Sequence, residues 1–398
     1  MISYDESQCC IDALDLGGTR ESISLLAAAG RVCADDVCLL RDQPGFDRST
    51  MDGYAIALDG ERESFAVIGA VHAGETASVT PQPGQAIKIM TGAPCPASLT
   101  VVPIECTDGG TETVRVTDHS RLAPGRNIAW QGEDGRAGSV VVSAGTLLTA
   151  PVLSVAAMAG HAEVATWRPP TVAVVTTGDE VGADGVAGIA DSNGPLLQAL
   201  LSELGVGVSH HHARDEAGGL RAVLAKALAD HEVVVTTGGV SAGDRDLVPG
   251  TAEELGYATV FHKVAIQPGK PVFLAQREQR CLIGLPGNPV SVLATAHLFL
   301  LPLLGRYLGG WRPQWLQLPV AQALTHLKPR ELFQPAILTP KGLEPVAWNG
   351  SGDLLAAASA DGLMRLVPNV AKRAGERIRF LPFGGRFGTR SRMPERGA

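Results

Sequence analysis

The 398-residue sequence predicts a multidomain α/β protein: a central parallel sheet with helices on both faces, preceded and followed by smaller β-rich parts. Three observations predict it. The runs Val172-Ala173-Val174-Val175 and Val233-Val234-Val235 are apolar throughout and largely β-branched, as befits parallel strands buried on both faces. From Arg168-Pro169-Pro170 onward, strand-like and helix-like segments alternate, the succession that builds a doubly covered parallel sheet. On either side of that region Gly and Pro punctuate short β-like runs, the pattern of all-β units.

Taken in chain order, Thr19 reads as the N-cap of a first helix, with Ile23, Leu26 and Ala27 on one face and Gly30 as its stop. A similar unit recurs at 149–160: Thr149 caps, Pro151 sits in the first turn, Val152, Val155, Ala156 and Ala159 line one side, and Gly160 closes. Between them, Phe65-Ala66-Val67-Ile68, Ala86-Ile87-Lys88-Ile89-Met90 and Thr113-Val114-Arg115-Val116 predict strands of a small inserted β unit. Strands are expected at 171–176, 206–212 and 233–237. Leu196, Leu197, Leu200, Leu201 and Leu204, ended by Gly205, form one helical stripe; Leu220, Val223, Leu224, Ala227 and Leu228 form another. Val290 to Leu304 is the most hydrophobic stretch; it is shorter than the ~20 residues a membrane span needs, and reads as a buried helix. After Gly309-Gly310, β-like segments at 315–324, 331–339, 343–348 and 376–382 predict a C-terminal β-barrel or sandwich. The Arg-bearing stretch Gly384 to Ala398 reads as a disordered tail.

Composition bounds the function. A chain of this length implies about two to four domains. With 33 basic and 41 acidic residues the net charge is −8, which argues against a nucleic-acid protein; an anionic ligand would need cations placed locally. The seven cysteines contain no C-x-x-C pair, which favours neither a disulfide framework nor a zinc site and fits a reducing cytosol. The start, Met1-Ile2-Ser3-Tyr4-Asp5-Glu6, lacks the features of a signal peptide, so a cytoplasmic protein is expected.

The chemistry is concentrated in turns. Thr176-Thr177-Gly178-Asp179-Glu180 and Thr236-Thr237-Gly238-Gly239-Val240-Ser241-Ala242-Gly243-Asp244-Arg245-Asp246 each follow a strand-like run and each end in carboxylates. Loops at the carboxyl ends of open α/β sheets are where ligands bind. Their glycines let backbone N–H groups approach an anion, and Glu180 and Asp246 could hold a divalent cation against its oxygens. Gly284-Leu285-Pro286-Gly287-Asn288-Pro289 adds a helix start, with Asn288 as N-cap and Pro289 at N1, a ready anion site. Lys263 and Lys270 supply cations between two strand-like runs, the second wedged between Gly269 and Pro271. In His210-His211-His212, consecutive strand residues face opposite sides, so at most two could converge on a metal; Asp215, at the end of that strand, is the better site carboxylate. The loop Pro44 to Ala55, Thr91 in Met90-Thr91-Gly92-Ala93-Pro94, and Gly132-Glu133-Asp134 read either as structured turns or as ligand contacts.

Together these segments, with Pro268-Gly269-Lys270-Pro271, resemble the molybdopterin molybdenumtransferase family, the MoeA-type enzymes and gephyrin E domain, in the same order over nearly the whole chain. The resemblance implies a central MoaB/MogA-like three-layer domain at 169–310, a small β domain at 41–138, a discontinuous, elongated α+β N-terminal domain (1–40 and 139–168), a C-terminal β-barrel at 311–385 and a tail at 386–398. It implies a homodimer that hydrolyses adenylylated molybdopterin with Mg2+ and inserts molybdate at the dithiolene, giving molybdenum cofactor and AMP. A molybdopterin adenylyltransferase would act upstream and apo-molybdoenzymes or their chaperones downstream, with no nucleic acid or membrane partner. Carried onto this sequence, Glu180, Asp215 and Asp246 would bind the metal or orient water, and Lys263 and Lys270 would offset phosphate or molybdate charge. Gly178, Gly238, Gly239, Ser241, Gly287, Asn288 and Pro289 would cradle substrate; Pro286 and Ser351 would line the oxyanion pocket; Asp52, Thr91 and Asp134 would come from the partner's β unit. The chain departs from the family at Ala129-Trp130-Gln131, Gln267 and Pro335, each of which removes a cation, with Arg126 and Arg330 nearby as substitutes. Those losses define the alternative: a paralogue that carries molybdopterin without turnover, or one that inserts tungstate.

Overall fold

The computed structural model describes residues 1–58, 60, 62–75, 80–119, 122–182, 188–214, 216–240 and 247–384. Asp215, Ser241, Asp246 and the tail from 385 lie outside the described residues. The chain divides into two compact units with interleaved sequence: one comprises 36–144 and 150–164, the other the remainder.

The larger unit is built on a six-stranded sheet in the order Val208–Ala213, Val172–Thr177, Val233–Thr237, Arg280–Leu285, Phe273–Arg277 and Ala258–His262. The first four strands are parallel; the last two add an antiparallel edge. The valine runs are continuous because both faces are covered. Val172, Val174, Val233 and Val235 point into one apolar cluster together with Leu197 and Leu201 of the helix Asn193–Ser202 and most of the helical span Pro289–Tyr307. Ala173, Val175 and Val234 point into another, with Leu220, Leu224, Ala227 and Leu228 of the helix Ala217–Asp230. Each fully buried Val or Leu contributes about 1.5–3 kcal/mol. The helical span Pro289–Tyr307 is long and apolar enough to cross a membrane, yet it is 89% buried within this core.

Behind this domain, Glu331–Thr339, Gly362–Leu366, Arg377–Pro382 and Leu316–Pro319 form a sheet that Ile266–Gln267 joins at one edge. Gly342–Pro345 pairs with Glu331–Thr339, and a bridge from Val320 to Leu343 ties the last strand back to it. The sheet thereby closes into the expected C-terminal barrel. Phe333, Leu363 and Leu381 extend from it into the α/β core.

The smaller unit carries a five-stranded sheet, ordered Thr100–Pro103, Gly53–Ile56, Gln85–Ile89, Ser64–Val71 and Thr113–Arg115, with an apolar cluster on each face. Its helix Ala150–Met158 forms where the sequence predicts.

One expected helix does not form. Arg20–Ser24 is a strand, because exposure alternates residue by residue, with Glu21 and Ile23 half-buried and their neighbours exposed. Thr19 accepts the Arg168 N–H at 2.7 Å. The first helix is instead Tyr4–Asp12, started by a capping box in which the Ser3 hydroxyl and backbone engage Glu6 reciprocally.

Candidate functional site

The parallel register puts three strand ends side by side: Thr176 pairs with Thr237, and Thr237 with Leu285. The turns that follow therefore emerge together at the sheet's carboxyl rim. They line one cavity of about 890 Å3. Its walls include Gly178 and Glu180 from the first turn, Gly238 and Gly239 from the second, Pro286 to Pro289 from the third, Gln267 to Pro271 from the barrel-side strand, and Arg330, Trp348 and Ser351 from the barrel.

Two glycines are required by geometry. Gly178 has φ +127°, and a Cβ there would lie 2.9 Å from the Glu180 carboxylate. Gly238 has φ +97°, and a Cβ would lie 2.6 Å from Thr177 Oγ1. That hydroxyl donates to Thr237 O at 3.0 Å and stitches the first turn to the second. Gly238 N–H donates to Leu285 O at 2.9 Å, joining the second strand end to the third.

Asn288 occupies the N-cap position and Pro289 the first turn, as the sequence predicts. The Asn288 side chain does not cap, however. Its Nδ2 donates to Ser351 Oγ at 2.9 Å, while Val290 N–H donates to Ser351 O at 3.0 Å, so the barrel loop is pinned to the helix start.

Several wall residues escaped the sequence reading. Asp191 Oδ1 accepts the N–H groups of Asn193 and Gly194 at 3.0 and 2.9 Å, and its other oxygen lies 3.2 Å from His210 Nε2. Asn193 Nδ2 donates to Gly287 O at 2.8 Å, while its Oδ1 is buried without a partner, an acceptor placed at the cavity wall. The polar triplet Asp191-Ser192-Asn193 immediately before the Leu196 stripe is a helix-start signal that could have flagged both. Trp348 Nε1 donates to Gln334 Oε1 at 3.2 Å and Gln334 Nε2 to Val346 O at 2.8 Å, which fixes the indole at the wall.

The remaining candidates lie elsewhere. Lys263 is half-buried with φ +69° and is not among the lining residues, so the structure does not bring it to the cavity beside Lys270. His210 is taken up by Asp191 and by Thr176 Oγ1 at 3.3 Å, and among the described residues no group of three or more His, Cys, Asp or Glu is placed to hold a metal. In the smaller unit, Asp52 Oδ1 accepts the Thr91 N–H at 2.7 Å and its hydroxyl at 2.9 Å, two bonds that hold the Asp52 carboxyl below the usual range. Asp134 is exposed on a turn where its N–H donates to Gln43 O at 3.0 Å.

Comparison with known proteins covers the chain almost end to end. Residues 2–160 match the MoeA N-terminal region (domain I and II), 173–306 a probable molybdopterin binding domain, and 317–383 the MoeA C-terminal region (domain IV). A molybdopterin molybdenumtransferase of Staphylococcus epidermidis is 33% identical over 364 residues, 87% of this chain and 86% of that protein. The chain belongs to the molybdopterin molybdenumtransferase family. Other members are similar: one from Synechococcus elongatus is 35% identical over 340 residues, covering 81% and 84% of the two chains, and the molybdopterin molybdenumtransferase 2 of Mycobacterium tuberculosis is 33% identical over 376, covering 89% and 92%. The crystal structure of a molybdopterin biosynthesis MoeA protein from Pyrococcus horikoshii superposes with a TM-score of 0.79 at 25% identity, over 96% of this chain and all of that one. The three matched regions follow one another along the chain.

Proposed function

We propose that the protein is a transferase of molybdenum cofactor biosynthesis that hydrolyses adenylylated molybdopterin and inserts molybdate at the dithiolene, releasing AMP. One observation carries this reading: three glycine-bearing strand-end turns, a helix N-terminus and the cations Lys270 and Arg330 share a single cavity. Backbone N–H groups and cations fixed before substrate arrives are what a phosphoanhydride needs, since they stabilise charge as it builds on phosphoryl oxygens. In the hydrolysis a water oxygen bonds to the molybdopterin phosphorus and gives up a proton to solvent, the bond from that phosphorus to the bridging oxygen breaks, and AMP departs with that oxygen and the electron pair. Lys270 offsets the charge on the leaving group. Glu180 orients the water, with Asp215 and Asp246 assigned alongside it on sequence.

The donor set suits Mg2+, which takes one or two carboxylates and completes its shell with water and phosphate oxygens. Glu180 is the wall carboxylate available for it, Asp191 being committed to backbone N–H groups and His210. A bound Mg2+ would neutralise phosphoryl oxygens as a Lewis acid. The same reading has the enzyme working as a homodimer in the cytoplasm, between an adenylyltransferase and the apo-molybdoenzymes or their chaperones.

Purified protein mixed with adenylylated molybdopterin, molybdate and Mg2+ should release AMP and active cofactor. Tight binding of the pterin with no AMP above the buffer rate would refute turnover and select the carrier reading.

A further inference from the structure

We infer that the end of the α/β sheet opposite the strand-end cavity carries a second ligand site, for a small phosphate monoester with an apolar body. A cavity of about 280 Å3 opens there. Small-molecule pockets begin at about 300 Å3, so this one has room for a single ring and its anionic group. It shares no lining residue with the first cavity. Arg280 on its wall begins the strand that ends at Leu285, so the two cavities stand a strand length apart, roughly 17 Å.

A hairpin brings the charges together. Arg277 and Arg280 are directly opposed across the ladder between Phe273–Arg277 and Arg280–Leu285, which sets their Cβ atoms about 4.5–5.5 Å apart on one face. Like charges so placed repel. Each guanidinium is anchored to a helix end. Arg280 Nη1 donates to the Leu228, Ala229 and His231 carbonyls at 2.5, 2.6 and 3.2 Å, where Ala217–Asp230 finishes. Arg277 Nη1 donates to Leu255 O at 3.2 Å, just past Leu247–Glu254. The other guanidinium nitrogens have no partner among the described residues. Glu278, the carboxylate of the lining, sits at the exposed hairpin corner with φ +54° and forms no ion pair there with a described residue.

Tyr257 lines the same cavity, is 5% exposed, and its hydroxyl bonds to no described residue. Burial pushes its pKa up while Arg280 and Arg277 pull it down, which marks both guanidiniums as near neighbours of the phenol. Three donors thus converge with nothing in this chain to accept from them. A carboxylate, with two oxygens and one charge, is satisfied by a single guanidinium. A phosphate monoester brings three free oxygens and up to two charges, enough to bridge both arginines and cancel their repulsion. Leu228, Leu255 and Ala225 form the apolar wall on which the body of the monoester would lie.

The test titrates phenyl phosphate, a one-ring monoester, into the full chain by calorimetry, with inorganic phosphate for comparison. Wild type should bind the ester at least about fivefold more tightly than inorganic phosphate, since only the ester sets a ring on the apolar wall. Arg277→Gln should weaken phenyl phosphate binding by about tenfold or more. Ala225→Trp keeps both arginines and fills the cavity from its half-buried position on the helix, and should abolish binding. Should the tryptophan variant fail to fold, Arg277→Gln decides alone. Any of four results overturns the inference: no binding of phenyl phosphate by wild type, equal affinity for the two anions, binding by Arg277→Gln within about twofold of wild type, or binding that survives in folded Ala225→Trp. Survival in both variants would put the anion in the strand-end cavity instead.

Discussion

Lowering the pH from 7 to 5 should destabilise the α/β domain by about 2 kcal/mol through His297 alone. This side chain lies midway along the helical span Pro289–Tyr307, where the helix widens into a single π turn over Ala296–Leu300. It is 4% exposed, its Nδ1–H donates to Leu293 O at 2.8 Å, and its ring packs on Phe383 with centroids 4.6 Å apart. Burial pushes its pKa down from 6.5 to about 4, against the opposing pull of the Leu293 carbonyl. Between those values the unfolded chain holds a proton that the folded chain refuses. The stabilisation is therefore complete above pH 6.5 and is lost as pH falls through about 4. At about 1.4 kcal/mol per pH unit the whole interval is worth on the order of 3 kcal/mol, of which about 2 is spent by pH 5. Urea unfolding followed by tryptophan fluorescence at pH 8, 7, 6 and 5 should show wild type losing stability faster than His297→Leu. The variant forfeits a hydrogen bond at every pH but takes up no proton there. Parallel stability curves for the two proteins would refute the reasoning.

Gly238→Ala forces a Cβ onto Thr177 Oγ1 at a left-handed φ, and should cost about 2 kcal/mol while lowering activity more than tenfold; near-normal kcat/KM together with unchanged melting would contradict the cradle geometry. Glu180→Gln keeps the shape of the first turn and removes its charge. It should lower Mg2+-dependent AMP release at least about a hundredfold, with Tm within a few degrees of wild type, and full activity would place the water-orienting group elsewhere.

The central sheet was legible because parallel strands covered on both faces leave no room for polar residues: each valine run in the sequence became a strand, and each Gly-bearing turn after it became cavity wall. The barrel was legible from its turn spacing. Arg20–Ser24 misled because its polar residues fit either period; its pairing with the strand Glu163–Trp167, together with the N–H that Arg168 gives to Thr19 O, holds the chain extended. The start of the Tyr4–Asp12 helix is written in the sequence as Ser3 and Glu6, three residues apart, the spacing of a capping box. Arg330 is legible from sequence as a nearby cation, and the Ile266–Glu331 pairing sets it beside the cavity; Trp348 is not, because it is held at the wall by Gln334, a contact no local pattern shows. Lys263 shows the converse: it is close in sequence to Lys270 yet is not among the residues lining the cavity.

The proposed reaction requires the strand-end cavity to be the oxyanion site. A crystal soaked in molybdate and measured at the molybdenum absorption edge tests that directly. An anomalous peak is expected within hydrogen-bonding reach of Arg330 and Lys270, near the Ser351 loop. Molybdenum bound only elsewhere on the protein, with that cavity holding none, would contradict it.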